Sequence, residues 1–218
     1  FHESVPDIVA KYMAEISKLT GCEYKPFTYY GAPDAENILV AMGSVTECIK
    51  EVIDYRRAQG EKIGLINVHL YRPFSLKYLF EVLPDSVRRI AVLDRTKEPG
   101  ANGDPLYLDL CQAFHGRDNP PRIIAGRYGL GSKAVTPPQI MAAYDNLAQD
   151  QPTNHFTIGI EDDINHSTRP DAPTVKVSPD DLYAAKFYGL GSDGTVGANK
   201  NSIKIIGEST DKFCQAYF

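Results

Sequence analysis

Residues 38–73 hold two apolar runs separated by one amphipathic stretch, and that arrangement admits few folds. Ile38–Ala41 is a short apolar run, broken by Gly43. Ser44 or Thr46 can then cap a helix, with Glu47 in its first turn. Val45, Cys48, Ile49, Val52 and Ile53 recur at helical spacing, so one face of that helix is apolar. Gly60 is placed to end it. Ile63–Leu70 is a second strand. Strand, helix and strand within about 35 residues make a βαβ unit, whose strands run parallel.

The rest of the chain is read as elements packed on that unit. Ser4-Val-Pro-Asp7 is a helix start, and Val5, Ile8, Val9, Tyr12, Met13, Ile16 and Leu19 form one stripe that Gly21 ends. Tyr24–Tyr30 is aromatic and extended, and residues 31–34 are a turn. Residues 1–34 are thus expected to be the end of a preceding domain that leans on the next. After Arg72-Pro73-Phe74, Ser75 caps a short helix over Leu76–Leu83, and Pro84 stops it. Ile90–Asp94 is the third strand. Residues 95–104 are a polar loop. Pro105 opens a helix to about His115, with Leu106, Leu110 and Phe114 inward. Arg122–Gly126 is the fourth strand, and Thr136-Pro137-Pro138 starts a helix to Leu147. Strands alternating with helices predict an α/β domain over 35–148, with a mostly parallel sheet and helices on both faces.

Residues 149–185 lack a helical period. An extended arm is expected there, with a strand at Thr157–Ile160 and a short helix from Ser178 to about Lys186. Residues 186–218 are read as the incomplete beginning of a further domain. An apolar edge at Phe187 leads to Gly189-Leu-Gly191-Ser-Asp-Gly194, which fits G-x-G-x-x-G, and Val196–Gly207 reads as a helix. Phe1 in place of Met, with a helix following almost at once, suggests an excised segment.

Composition closes off several classes. Hydrophobic residues make up 43% of the 218, enough for a core. A formal net charge of −5 gives no nucleic-acid footprint. No apolar run approaches a membrane span, and no signal peptide opens the chain. Cys22, Cys48, Cys111 and Cys214 are too far apart for a local CxxC motif, so they read as small hydrophobes in a reducing cytoplasm. The histidines form no HxH or HExxH pair, Glu161-Asp162-Asp163 lacks the spacing of a calcium loop, and no Gly-x-Ser-x-Gly element is present.

Two motifs remain. Glycines at 189, 191 and 194 would let backbone N–H groups approach a diphosphate at a helix start. Asp193 would repel phosphate unless paired, and Lys200 and Lys204 could offset it. The plain alternative is a structural tight turn. Tyr-Gly-Leu-Gly-Ser occurs at 128–132 and again at 188–192, which reads as coincidence because nothing else repeats at that spacing. Arg95-Thr-Lys-Glu98 follows a strand end, where ligands gather in parallel sheets, although a solvated loop is the simpler reading.

Several stretches together resemble the pyruvate:ferredoxin (flavodoxin) oxidoreductases. They are Gly31-Ala-Pro-Asp-Ala-Glu36 leading to Ala41-Met-Gly-Ser44, Val68-His-Leu-Tyr-Arg-Pro-Phe74, Leu93-Asp-Arg-Thr-Lys-Glu-Pro-Gly-Ala101 and Gly126-Arg-Tyr-Gly-Leu-Gly-Ser-Lys133. The sharpest is Phe187-Tyr-Gly-Leu-Gly-Ser-Asp-Gly-Thr-Val-Gly-Ala-Asn-Lys-Asn201. The resemblance implies that 35–148 is similar to the carboxy-terminal domain of transketolases. It implies that 1–34 ends the family's first domain and that 186–218 begins the domain associated with coenzyme A. The parent enzyme would decarboxylate pyruvate on thiamine diphosphate with Mg2+. It would pass electrons through [4Fe–4S] clusters to ferredoxin or flavodoxin and hand the acetyl group to coenzyme A, as a cytoplasmic homodimer. The family's thiamine sites and cluster cysteines lie in other domains. This segment is therefore expected to bind no cofactor, to dock against the parent's other domains and to be inactive alone. Gly189, Gly191, Ser192, Asp193, Gly194, Asn199 and Lys200 are carried over as a coenzyme A loop.

Three rival readings stay open. One is a sister enzyme acting on another 2-oxoacid. Another is a Rossmann-type dehydrogenase, which needs an acid ending a strand about 20 residues beyond the glycines, near Asp211. The third is a non-catalytic α/β interaction domain, which an exposed apolar patch would favour.

Overall fold

The structure, a computed structural model, describes residues 2–177 and 181–217. The chain divides into two compact units, Phe1–Val177 and Ser178–Phe218.

In the first unit the amphipathic stretch behaves as its period dictates. β2 (Asn37–Ala41) and β3 (Ile63–Val68) flank α2 (Val45–Arg57) and pair in parallel, with Leu39 opposite Leu65. All six residues of β3 are buried, because it lies inside the sheet with both faces covered. The aromatic segment before the unit becomes β1 (Phe27–Gly31), which pairs antiparallel with β3. It is thus an edge strand of the same sheet.

β4 (Arg89–Asp94) and β5 (Arg122–Arg127) follow α3 (Leu76–Val82) and α4 (Pro105–Phe114). α5 (Pro137–Ala148) opens with a reciprocal capping box between Thr136 and Gln139. The sheet order is β1-β3-β2-β4-β5-β6, with β6 reduced to Phe156–Thr157. From β2 the chain steps one way to β3 and later returns on the other side as β4. The loops after β2 and β4 therefore diverge, which makes a topological switch point.

Alternate residues of each strand feed two cores. Leu39, Ala41, Leu65, Ala91 and Leu93 pack under Ile49, Ile53, Ile140 and Tyr144 of α2 and α5. Ile38, Val40, Ile66, Ile90 and Val92 pack under Leu79, Leu106 and Leu110 of α3 and α4. Each fully buried Ile or Leu contributes about 1.5–3 kcal/mol. Tyr144 is 1% exposed and donates its hydroxyl to the Gly64 carbonyl at 2.9 Å, so its polar tip is satisfied.

α1 (Val5–Thr20) ends where expected, at Gly21 with φ 73°, whose N–H reaches the Ser17 carbonyl. Its apolar arc is only half used. Pro6 is buried and Asp7 accepts from Lys77 at 2.9 Å and Tyr78 at 2.7 Å on α3. Ile8, Tyr12, Ile16 and Leu19, further round the helix, are exposed.

Three local expectations are corrected. The strand at 157–160 is a two-residue ladder, helped by a bridge from Thr157 to Thr168. The helix from Ser178 to Lys186 begins on residues outside those described, and Asp181–Lys186 form no helix. In the second unit Phe187 and Tyr188 do not make a strand, because a lone apolar segment with no neighbour to pair cannot hold extended hydrogen bonding. The expected helix is there as α6 (Thr195–Ser209), with no buried residue.

Candidate functional site

Parallel strands put their carboxyl ends on one edge, and two buried carboxylates stand there. Asp94 ends β4 and is 5% exposed. Its two oxygens accept from the backbone N–H groups of Leu106 and Tyr107, each at 3.1 Å, so the strand end caps α4. Burial pushes the Asp94 carboxyl up, against the lowering effect of those two N–H donors. Asp104, 2% exposed, accepts from Glu98 N at 3.0 Å through Oδ1. Its Oδ2 receives the Arg127 guanidinium at 2.7 Å and 3.1 Å. Arg127 also reaches the Thr96 carbonyl at 3.1 Å, and Arg95 donates to Gly129 O at 3.1 Å.

The loop of 95–104 is therefore exposed at its tip and anchored beneath by a charged clamp. Residues 97–104 with Arg127 and His155 line a cavity of about 290 Å³ over it. Both carboxylates accept from the chain itself, Asp94 from the start of α4 and Asp104 from the loop and Arg127. The Asp104–Arg127 pair was not singled out from sequence. Asp-Pro at a helix start and a basic strand end are visible signals, but their pairing across the sheet is not.

The glycine loop lies in the second unit. Gly191 and Gly194 both have φ 84°, a conformation that glycine adopts without strain. Asp193 Oδ2 accepts from Leu190 N at 2.7 Å, and Oδ1 accepts from Thr195 N at 3.0 Å. Hydrogen bonding, first from the Thr195 side chain and then from backbone N–H groups, pulls its carboxyl down to about 2. A Cβ on Gly189 would stand 2.5 Å from Thr195 Oγ1 and 2.7 Å from Asp193 Oδ2. Gly189 thus makes room for the chain's own carboxylate. Gly189, Gly191, Ser192, Asp193 and Gly194 come together in one turn, while Asn199 and Lys200 sit on the second turn of α6. Leu190 N and Thr195 N, two donors that a diphosphate at this helix start would use, are thus already held by Asp193. The earlier copy of the pentapeptide differs: it follows a true strand, β5, and Gly129, Gly131 and Ser132 all have φ near 60°. Asp211 ends no strand, so the dinucleotide reading lacks its acid partner among the described residues.

Among the described residues no three His, Cys, Asp or Glu side chains converge as a metal site, and the four cysteines are free. No described helix is long and apolar enough to cross a membrane. The first unit is thus an α/β domain whose two buried carboxylates at the carboxyl edge, Asp94 and Asp104, brace its own chain.

Comparison with known proteins places that domain. Residues 35–140 match the model of the pyruvate:ferredoxin oxidoreductase core domain II. The whole chain is 54% identical to the pyruvate-flavodoxin oxidoreductase of Enterobacter agglomerans and 51% identical to the pyruvate:ferredoxin oxidoreductase of Moorella thermoacetica. It covers 19% of each of those proteins. Among solved structures, a 2-oxoglutarate:ferredoxin oxidoreductase from Magnetococcus marinus aligns over 62% of this chain and 21% of its own, at 16% identity and a TM-score of 0.40. The chain belongs to the pyruvate:ferredoxin (flavodoxin) oxidoreductase family, and it spans about a fifth of the length of the curated relatives it matches.

Proposed function

We propose that this chain is a scaffolding segment of a cytoplasmic, homodimeric 2-oxoacid oxidoreductase. The longer enzyme converts pyruvate and coenzyme A to acetyl-CoA and CO2, releasing one proton and two electrons. The electrons leave singly for ferredoxin or flavodoxin. The observation that carries the reading is the end-to-end identity of about one residue in two to relatives bearing that name. Thiamine diphosphate, Mg2+ and [4Fe–4S] clusters belong to other parts of that enzyme. Residues 1–34 close its first domain, 35–148 form its second, 149–185 link onward and 186–218 open the domain that serves coenzyme A. In that domain Ser192, Asn199 and Lys200 would meet the coenzyme through their side chains, while Gly189, Gly191, Asp193 and Gly194 shape the turn that carries them.

The segment's own part is docking. The face of α1 carrying Ile8, Tyr12, Ile16 and Leu19 is turned to solvent, as are Leu190, Val196, Ile205 and Phe213 of the second unit. Apolar surface of that kind marks an interface. Its occupants are the domains of the longer enzyme, which supply the other four-fifths of the length seen in the relatives.

The test is anaerobic viologen reduction by the longer enzyme with pyruvate, then with 2-oxoglutarate and branched 2-oxoacids, each with and without coenzyme A. Pyruvate- and coenzyme-A-dependent reduction supports the reading. Reduction with another 2-oxoacid alone replaces the substrate and keeps the family. No reduction by a cluster-loaded enzyme with any 2-oxoacid refutes it.

A further inference from the structure

We infer that the glycine loop at 189–194 is closed by its own aspartate and takes no phosphate. An anion at a helix start needs backbone N–H groups that are free and that converge. Here Leu190 N and Thr195 N converge on the two oxygens of Asp193, at 2.7 Å and 3.0 Å. The carboxylate occupies the place a phosphate would take, with the same sign of charge and the same partners. Gly189 belongs to this closure, since any Cβ there would collide with the Asp193 carboxylate and the Thr195 hydroxyl. Gly194, with φ 84°, lets the chain turn from the aspartate into α6. Gly189 and Gly194 are thus accounted for by an internal cap, and Gly191, with φ 84°, by the turn itself.

An arriving phosphate would have to displace Asp193 and then face its charge a few ångströms away. Two like charges that close repel, and more strongly at a protein surface than in open water. A diphosphate-bearing molecule that meets this segment does so through side chains of α6 or through another segment. The G-x-G-x-x-G spacing is shared with dinucleotide loops, but the acid within it gives the spacing another use.

The experiment is an amide NMR titration of the 15N-labelled 218-residue chain with inorganic pyrophosphate at pH 7, against a sodium chloride control of equal ionic strength. In the wild type the Leu190 and Thr195 amides stay at their control positions. Asp193→Ala frees both groups, and they then shift saturably. Asp193→Asn keeps a neutral acceptor and behaves as the wild type. A saturable shift of Leu190 and Thr195 in the wild type overturns the inference. So does an Asp193→Ala chain that keeps α6 and gains no response. If α6 is lost in that variant, the wild-type and Asp193→Asn titrations decide. The inference rests on loop geometry and not on the proposed activity, so failed dye reduction by the longer enzyme would leave it standing.

Discussion

Replacing Asp104 with alanine should loosen the whole carboxyl edge of the sheet. The side chain is 3% exposed and its partner Arg127 is 19% exposed, so the pair is largely out of water. Breaking a buried pair from one side costs about 3–5 kcal/mol, because the other charge is left without compensation. Arg127 keeps the Thr96 carbonyl and some water, which puts Asp104→Ala at the lower end, about 3 kcal/mol. For a unit of this size that is a fall in Tm of about 6–12 °C. Asp104→Asn retains an acceptor for Glu98 N and should lose about half as much. Urea unfolding followed by far-ultraviolet circular dichroism reads the difference. Arg127→Met alone should also destabilise, and the double variant should lose about 2 kcal/mol less than the two singles added. If Asp104→Ala unfolds within about 0.5 kcal/mol of the wild type, the clamp is a surface pair and the reasoning is wrong.

Three further outcomes follow from single positions. Gly126→Ala places a methyl against the Phe156 ring, at 2.7 Å from Cε1, and 2.8 Å from Leu93 Cδ2. Overpacking there should cost about 1–3 kcal/mol in the same urea assay. Burial pushes the Cys48 thiol up to about 11, so at pH 8 a maleimide or disulfide reagent should label the exposed Cys22 and Cys214 and spare Cys48 in the folded chain, as read by peptide mass spectrometry. Asp193 is held down to about 2 in the fold, against about 3.9 unfolded, so its capping stabilises α6 above pH 4 and is lost as pH falls from about 4 to 2. Amide protection of Thr195 should fall in that window, while unchanged protection down to pH 2 would remove the cap.

What was legible in the sequence was local. Ile38–Ala41 and Ile63–Val68 are short apolar runs and the stripe over 45–53 recurs at helical spacing, and run length with that spacing separates strand from helix. Thr136 with Gln139 and Pro105 likewise mark helix starts by short-range hydrogen bonding and a missing donor. The misses involve partners far along the chain. Tyr24–Tyr30 is visibly extended, but that it closes the sheet against β3 depends on residues some 40 positions later. Phe187 looks like a strand start and forms none, because strand character needs a neighbour. Asp104 and Arg127 look like two charges on a solvated loop until the parallel pairing of β4 and β5 brings them together. In the glycine loop the spacing was plain, and so was the conflict at Asp193. Which way the carboxylate turned was a matter of backbone geometry.

The most direct test of the central claim sets the 218-residue chain beside the longer enzyme in one anaerobic assay, with pyruvate, coenzyme A, thiamine diphosphate and Mg2+ supplied to both. The longer enzyme should show pyruvate- and coenzyme-A-dependent viologen reduction, and this chain none. Turnover by the 218 residues alone would contradict that claim, since that would require a reacting group among side chains assigned here to holding the fold.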